Sequence, residues 1–281
     1  MQVSLNQITQ TDGGIEFVRD KKKAKKSGFR DVAGSIHTSQ TILTNNARTL
    51  IEDIGPSIDG WDRESLTDSI LSKNIFCKRT DSARLGGLRD MIAIYGFDSP
   101  PPVTRALLSL WHATRDRSLL LGQLAIARDP ILRVTAPIIL DMQPGETSGF
   151  RTMMAYLESH YPRRFSSGTL RAVGERCISS WVQMGHLRQG RVRERVPVVA
   201  ESAHAAFASF LAICCGFSGR SILESGWFQM LDISPEQAMS LLRRAEAEGQ
   251  IDLHVAGHVF EIGLAGDLKM IELGLSDNGL F

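Results

Sequence analysis

The stretch from Phe150 to Val198 limits the fold more than any other, because its apolar spacing, its breaks and its charge each admit few arrangements. Phe150, Met153, Met154, Tyr156 and Leu157 recur at helical intervals. The run must stop at Tyr161-Pro162, since the residue before a proline avoids the helical basin. Ser166 or Ser167 can then accept the free N–H groups of a new first turn. The helix predicted there carries Leu170, Val173, Cys177, Trp181 and Met184 at alternating three- and four-residue steps, one apolar stripe. Gly185 suits the left-handed position that ends it. From His186 to Val198, arginines flank Gln189-Gly190, which reads as the turn of a short β-ribbon. Two helices and a basic ribbon are the outline of a winged helix, which sets its second helix in the DNA major groove and its wing on the backbone.

Local charge supports that reading. Residues 162 to 195 hold eight arginines against Glu175 and Glu194, in a chain of formal net charge +1. A solvated basic face on an ordinary helical domain would have the same composition, so placement selects the residues. Arg163 and Arg164 fall in the turn and Arg171 on the solvent side of the stripe; Arg188, Arg191, Arg193 and Arg195 fall on the ribbon. Double-stranded DNA is the expected partner of these seven, held mainly through its phosphates and with strong salt dependence.

From Ser35 to Asp141 the periodicity is helical. Ile42, Ala47, Leu50, Ile51 and Ile54 mark one helix ended by Gly55-Pro56, and Trp61, Leu66, Ile70 and Leu71 a second. Asp81 or Ser82 can cap a third that runs to Tyr95-Gly96. After the Pro100-Pro101-Pro102 break come helices around Leu107 to Trp111, Leu119 to Ala127, and Leu132 to Leu140. Short connections between helices predict a compact bundle. Residues 1 to 34, with the Lys21 to Lys26 run and no sustained period, are predicted to be a flexible basic tail, the alternative being a basic arm on nucleic acid that adds affinity without sequence choice.

Residues 201 to 281 repeat the helices-plus-ribbon plan with the opposite charge. His204 to Cys215 and Ser221 to Leu231 read as helices. Ser234-Pro235-Glu236-Gln237 is a capping box with proline at the first helical position. Ile251 to Val255 and Gly257 to Ile262 read as a hairpin. Four basic residues stand against eleven acidic ones, a balance that repels phosphate and suits a protein partner. The expected fold is therefore mainly α, a helical bundle followed by winged-helix-like units with short β-hairpins. Its parts are a tail (1–34), a bundle (35–145), a basic unit (146–200) and an acidic unit (201–281).

Motifs for catalysis are missing from the sequence: no Gly-x-Ser-x-Gly, no phosphate-binding P-loop, no His-Glu-x-x-His. No catalytic residue, cofactor or metal is expected. His254 and His258 meet on the hairpin without a third ligand. Cys77, Cys177, Cys214 and Cys215 form no Cys-x-x-Cys pair and are expected to be buried, reduced thiols. Trp61, Trp111, Trp181 and Trp227 fall on apolar stripes and are expected in the core. With no signal-peptide pattern and no apolar run of the roughly 20 residues a bilayer requires, the expected location is cytoplasmic and off the membrane.

Several runs also carry a family likeness: Ser72-Lys73-Asn74-Ile75, Thr80-Asp81-Ser82-Ala83-Arg84-Leu85, and Ala127-Arg128-Asp129-Pro130-Ile131-Leu132 after a leucine-rich helix. Phe165-Ser166-Ser167-Gly168-Thr169 and the segment from Ser179-Ser180-Trp181 to Gly185-His186-Leu187 extend it. Over residues 38 to 262 the pattern resembles the BrxA family, small helical proteins of the BREX phage-defence systems. That resemblance implies a non-enzymatic, DNA-binding accessory component working beside a methyltransferase, an ATPase and an alkaline-phosphatase-like protein. Other defence-system proteins are then expected partners, met through the acidic unit. No functional residue is carried over from the family, and the lysine run lies outside the pattern. Two alternatives remain: a protein–protein adaptor in the same complex, and a winged-helix transcription regulator. The regulator is weakened because no separate dimerisation helix or ligand domain is visible.

Overall fold

A computed structural model describes residues 14–31, 37, 39–257 and 259–274. The described residues form fifteen α-helices and two antiparallel two-stranded sheets, so the fold is mainly α as expected. The first helix, α1 (Lys21–Lys26), starts at Asp20, whose carboxylate accepts the Lys22 and Lys23 N–H groups at 2.9 and 3.0 Å. Next come α2 (Thr44–Ile54), α3 (Arg63–Thr67), α4 (Asp81–Tyr95), α5 (Pro102–Ser109) and α6 (Arg117–Arg128). The α4 cap is Thr80 rather than Asp81 or Ser82; its hydroxyl accepts from the Ala83 N–H at 3.2 Å.

Helix α6 is the hub. Between Ser118 and Ala127 it has no charged residue, and every side chain from Leu119 to Ala127 is buried. It packs against α2, α4, α5 and two later helices, α10 (Ser167–Gln183) and α11 (Ser202–Cys214). A Cβ at Gly122 would lie 2.4 Å from the Met184 side chain, so only glycine lets the end of α10 sit this close.

Two expected helices are broken in two. Residues 132 to 140 divide into α7 (Pro130–Val134) and α8 (Ala136–Leu140), because Pro137 lacks an N–H and is placed in a first turn, where none is needed. Residues 221 to 231 divide into α12 (Ser221–Glu224) and α13 (Gly226–Gln229). Here the cause is a crossing strand of chain: the Gly226 N–H donates to the Glu16 carbonyl at 2.8 Å. A Cβ at 226 would come within 2.6 Å of the Phe17 ring.

That crossing corrects the expected flexible tail over residues 14 to 31. Phe17 and Phe29 meet the Trp227 indole edge-on, at 4.8 and 5.6 Å between ring centroids, and the indole N–H donates to the Phe17 carbonyl at 2.8 Å. The Arg19 and Asp20 N–H groups both reach the Cys215 carbonyl. The lysine run dominates the composition of this segment, yet Phe17, Ala24 and Phe29 are buried and decide its fate. Residues 1–13 and 32–34 of the expected tail lie outside the described residues.

The expected boundaries near residues 145 and 200 do not separate cores. One continuous set of buried side chains runs from Phe17 to Ile271. Helix α11 packs on α5 and α6, and the last helix, α15 (Gly266–Glu272), packs on α5. The capping box of α14 (Pro235–Ala247) forms as expected: Ser234 Oγ accepts from the Gln237 N–H at 3.3 Å, and Gln237 Oε1 accepts from the Ser234 N–H at 2.8 Å. The C-terminal hairpin also forms. Its strands Ile251–Ala256 and Val259–Leu264 are in register from Ile251↔Leu264 to Ala256↔Val259, with Gly257 left-handed at the turn. All four tryptophans are buried. The four thiols are free, but Cys77 is exposed, correcting the expectation of four buried cysteines; it closes a tight turn, its N–H donating to the Asn74 carbonyl.

Candidate nucleic-acid interface

Helix α9 (Phe150–His160) stops at Tyr161 and α10 starts at Ser166, whose hydroxyl accepts from the Thr169 N–H at 3.3 Å. The two helices pack closely because Gly174 has no side chain: a Cβ there would lie 3.3 Å from the Phe150 carbonyl oxygen. Strand β1 (Thr147–Ser148), just before α9, pairs antiparallel with β2 (Arg193–Glu194) after α10, Thr147 opposite Glu194 and Ser148 opposite Arg193.

The basic ribbon expected at 187 to 198 is less regular than a hairpin ladder. A single bridge joins Leu187 and Arg195, with the Arg188 N–H donating to Glu194 at 2.8 Å and the Val196 N–H to His186 at 3.1 Å. Residues 189 to 193 form the loop they close. Within that loop the one apolar side chain, Val192, is exposed, so the ladder goes no further and the far arm pairs with β1 as well.

The seven predicted arginines do not share one environment. Arg163 is exposed and left-handed, its N–H donating to Glu158 at 3.1 Å. Arg164 is exposed and lies over the Tyr161 and Phe165 rings at 4.8 and 5.1 Å. Arg171 lies over the Phe150 ring at 5.0 Å and pairs with Glu175 at 3.0 Å. Arg188 pairs with Glu194 at 3.0 Å, Arg191 is exposed, and Arg193, half-buried, donates to the Gly190 carbonyl. Arg195 is a correction. It is 3% exposed, donates to the Ile139 and His186 carbonyls at 3.0 and 3.4 Å, and pairs with Asp232. The carbonyls and the carboxylate draw it inward, and it has no surface for a phosphate. Glu175, Glu194 and Asp232 thus answer three of the eight arginines, and the surface surplus is smaller than the sequence count.

Two arginines meet at one ring. Phe150 carries Arg171 on its face, Arg151 approaches the same ring at 6.0 Å, and Ser148, two residues away, is opposite Arg193. Arg151 was missed in the sequence because it precedes the arginine-rich segment; its exposed place on the first turn of α9 is the signal that could have found it. The second half of α10 is closed off. Ser180 Oγ accepts from the Ile42 N–H at 3.2 Å, and Gln183 bonds to Thr44 and Thr41 at 3.1 and 2.9 Å. Only the first two turns, from Ser167 to Glu175, are open to a groove.

The fold also assembles a group no motif announced. His37 Nδ1 lies 2.8 Å from Asp129 Oδ2 and His37 Nε2 lies 2.7 Å from Ser180 Oγ, the order of a hydrolase triad. All three side chains are shut from solvent, and Ser180 Oγ also lies 2.9 Å from the Arg176 carbonyl. Buried in this way, the group acts as a staple that fastens His37 and Ile42 to the back of α10. Asp129 at the same time caps α7, accepting from the Leu132 N–H at 3.0 Å. Among the described residues no three His, Cys, Asp or Glu side chains are placed to hold a metal, and His258 lies outside the described residues. No helix among the described residues is long and apolar enough to cross a membrane.

Comparison with protein-family models and with curated proteins returns no match.

Proposed function

We propose that this chain is a non-enzymatic, DNA-binding accessory component of a BREX-type phage-defence system. It contacts the duplex through the first two turns of α10 and the loop from Arg188 to Arg193. The observation that carries the reading is the placement of Arg151 and Arg171 on the Phe150 ring, beside the β1–β2 pair that holds Arg193. The order of elements supports it: a strand, two helices, and a loop whose far arm returns to that first strand, the connectivity of a winged helix. In such a unit the second helix enters the major groove by its N-terminal residues, the part of α10 left open here. The likeness to BrxA supplies the defence context, and cytoplasmic action on DNA follows from it.

Phosphate contacts release counterions, so about four of them should lower affinity roughly a hundredfold between 50 and 200 mM salt. Fluorescence anisotropy with a labelled duplex measures this, and affinity independent of salt would overturn the reading.

A second role has its own observation. Val255 and Val259, beside the turn of the acidic hairpin, are 49% and 53% exposed. An apolar tip in an acidic region suits a defence-system partner with a basic rim. Val255→Asp with Val259→Asp should abolish co-purification with that partner and leave duplex affinity unchanged.

A further inference from the structure

The N-terminal segment does not lie flush against the body. Between it and helices α7 to α9 is a cleft of about 490 Å³, within the size range of small-molecule sites. Its walls are of two kinds. Phe17, Phe29, Val134 and Pro137 give it an apolar side. Facing into the same space, Tyr156 and His160 stand one turn apart on α9, their ring centroids 4.3 Å apart and their planes inclined by 34°. The Tyr156 hydroxyl makes no hydrogen bond among the described residues, which leaves it for a ligand.

Charge is the second element. Among the described residues, Lys21, Lys25, Arg30 and Arg133 line the cleft against one carboxylate, Asp31. Arg30 turns its guanidinium to the Ala93 carbonyl at 2.8 Å, and Asp31 lies 4.0 Å from Lys21 and 3.7 Å from Arg133, too loosely held to neutralise Lys21, Lys25 and Arg133 together. Arg133 is largely committed to the body, donating to the Ile126, Ala127 and Arg30 carbonyls at 3.0, 3.0 and 2.9 Å. Burial holds its pKa below the ordinary value, so a bound anion would favour its charged form. Lys21 and Lys25 are exposed and can move toward a phosphate. Concave walls of low polarity strengthen the field of such a cluster.

We propose that this cleft binds a nucleoside phosphate, its base against the Phe17–Phe29 wall and the Tyr156 and His160 rings, its phosphate toward Lys21 and Lys25. The ligand can be a free nucleotide or the 5′-phosphorylated end of a strand, which share this chemistry. The site uses none of the arginines assigned to the duplex and does not rest on that reading.

The test is calorimetric titration of the full chain with AMP, adenosine and inorganic phosphate. AMP should bind in the micromolar to low-millimolar range, and each fragment roughly tenfold or more weakly, because both halves of the cleft are needed. Lys21→Glu with Lys25→Glu should weaken AMP about tenfold with an unchanged thermal melt, since both side chains are exposed. Tyr156→Ala should weaken AMP more than it weakens inorganic phosphate. Duplex affinity measured on the lysine variant should stay within about twofold, which separates failure of this site from failure of the duplex face. A 5′-phosphorylated trinucleotide that binds more tightly than AMP assigns the site to strand ends; one that binds more weakly assigns it to free nucleotide. No AMP binding up to about 5 mM, equal affinity for inorganic phosphate, or indifference to the lysine substitutions would overturn the proposal.

Discussion

The basic region from 146 to 200 and the acidic region after it follow the same plan of helices and a β-pair, but they hold their β-pairs by different means. The acidic hairpin is a ladder of six residue pairs whose buried side chains include Ile251, Leu253, Phe260 and Ile262. The basic loop has two paired residues on each strand and one extra bridge, and its base is tied down by the buried Arg195. A loop whose one apolar side chain, Val192, is exposed buries nothing that stabilises a ladder, so a single inward arginine does that work. The tether ends on Asp232, in the other region. Opposite charge therefore joins the two regions at one buried point as well as distinguishing their surfaces.

Breaking that tether should have the largest effect. Arg195→Ala leaves Asp232 without its partner, and Asp232→Ala leaves a guanidinium buried and unpaired; each should cost about 3–5 kcal/mol in urea unfolding. A variant as stable as the parent would show that the two regions are held together by other contacts. Acid should loosen the same junction. His186 is buried against Trp181 and bonds the Met230 carbonyl at 2.8 Å, and burial pushes its pKa down to about 4. The unfolded imidazole titrates near about 6.5, so the unfolded state binds the proton first as pH falls. Stability is full above that pH and is lost toward pH 4, by on the order of 3 kcal/mol relative to a His186→Phe variant followed over the same range.

The surface contrast is tested by charge removal. Replacing Arg151, Arg171, Arg188 and Arg191 with alanine should weaken duplex binding by about ten- to a hundredfold, whereas Arg243→Ala with Arg244→Ala on α14 should change it by less than about twofold. Anisotropy titrations at one salt concentration, with melts matched first, decide between them; a larger effect from the α14 pair would move the duplex to the acidic region. The smallest difference lies in the helix caps. Ser234→Ala loses the hydroxyl half of the box together with the 2.7 Å bond that the same hydroxyl donates to Glu236, and should cost about 1 kcal/mol or slightly more. Ser166→Ala, which loses a 3.3 Å bond from the Thr169 N–H and a 2.9 Å hydroxyl–hydroxyl bond to the same residue but no bond to a carboxylate, should cost less in the same denaturation assay.

Much of this architecture is legible because it is local. The stripes of α9, α10 and α14, the stop at Tyr161 and the cap at Ser234 depend on neighbours within a few residues. What escapes is set by distant partners. Arg195 is one more arginine in a basic run until Asp232, 37 residues on, meets it. The His37–Asp129–Ser180 staple spans 92 and 143 residues, and no local spacing could reveal it. The N-terminal segment misleads for a different reason: six residues from Lys21 to Lys26 outweigh Phe17 and Phe29 in composition, though the two rings fix its position.

The bond from Trp227 to the Phe17 carbonyl spans 210 residues, and it bears on the order in which the chain is made. At about 5–20 residues per second, a ribosome needs roughly 10–40 s after releasing Phe17 to deliver its partner. Throughout that interval Phe17 and Phe29 have no indole to pack on, so the first described segment to be synthesised is among the last to be placed. Residues 14 to 31 close the molecule after α13 has emerged, and a nascent chain arrested before Trp227 should still present them to a protease or a chaperone.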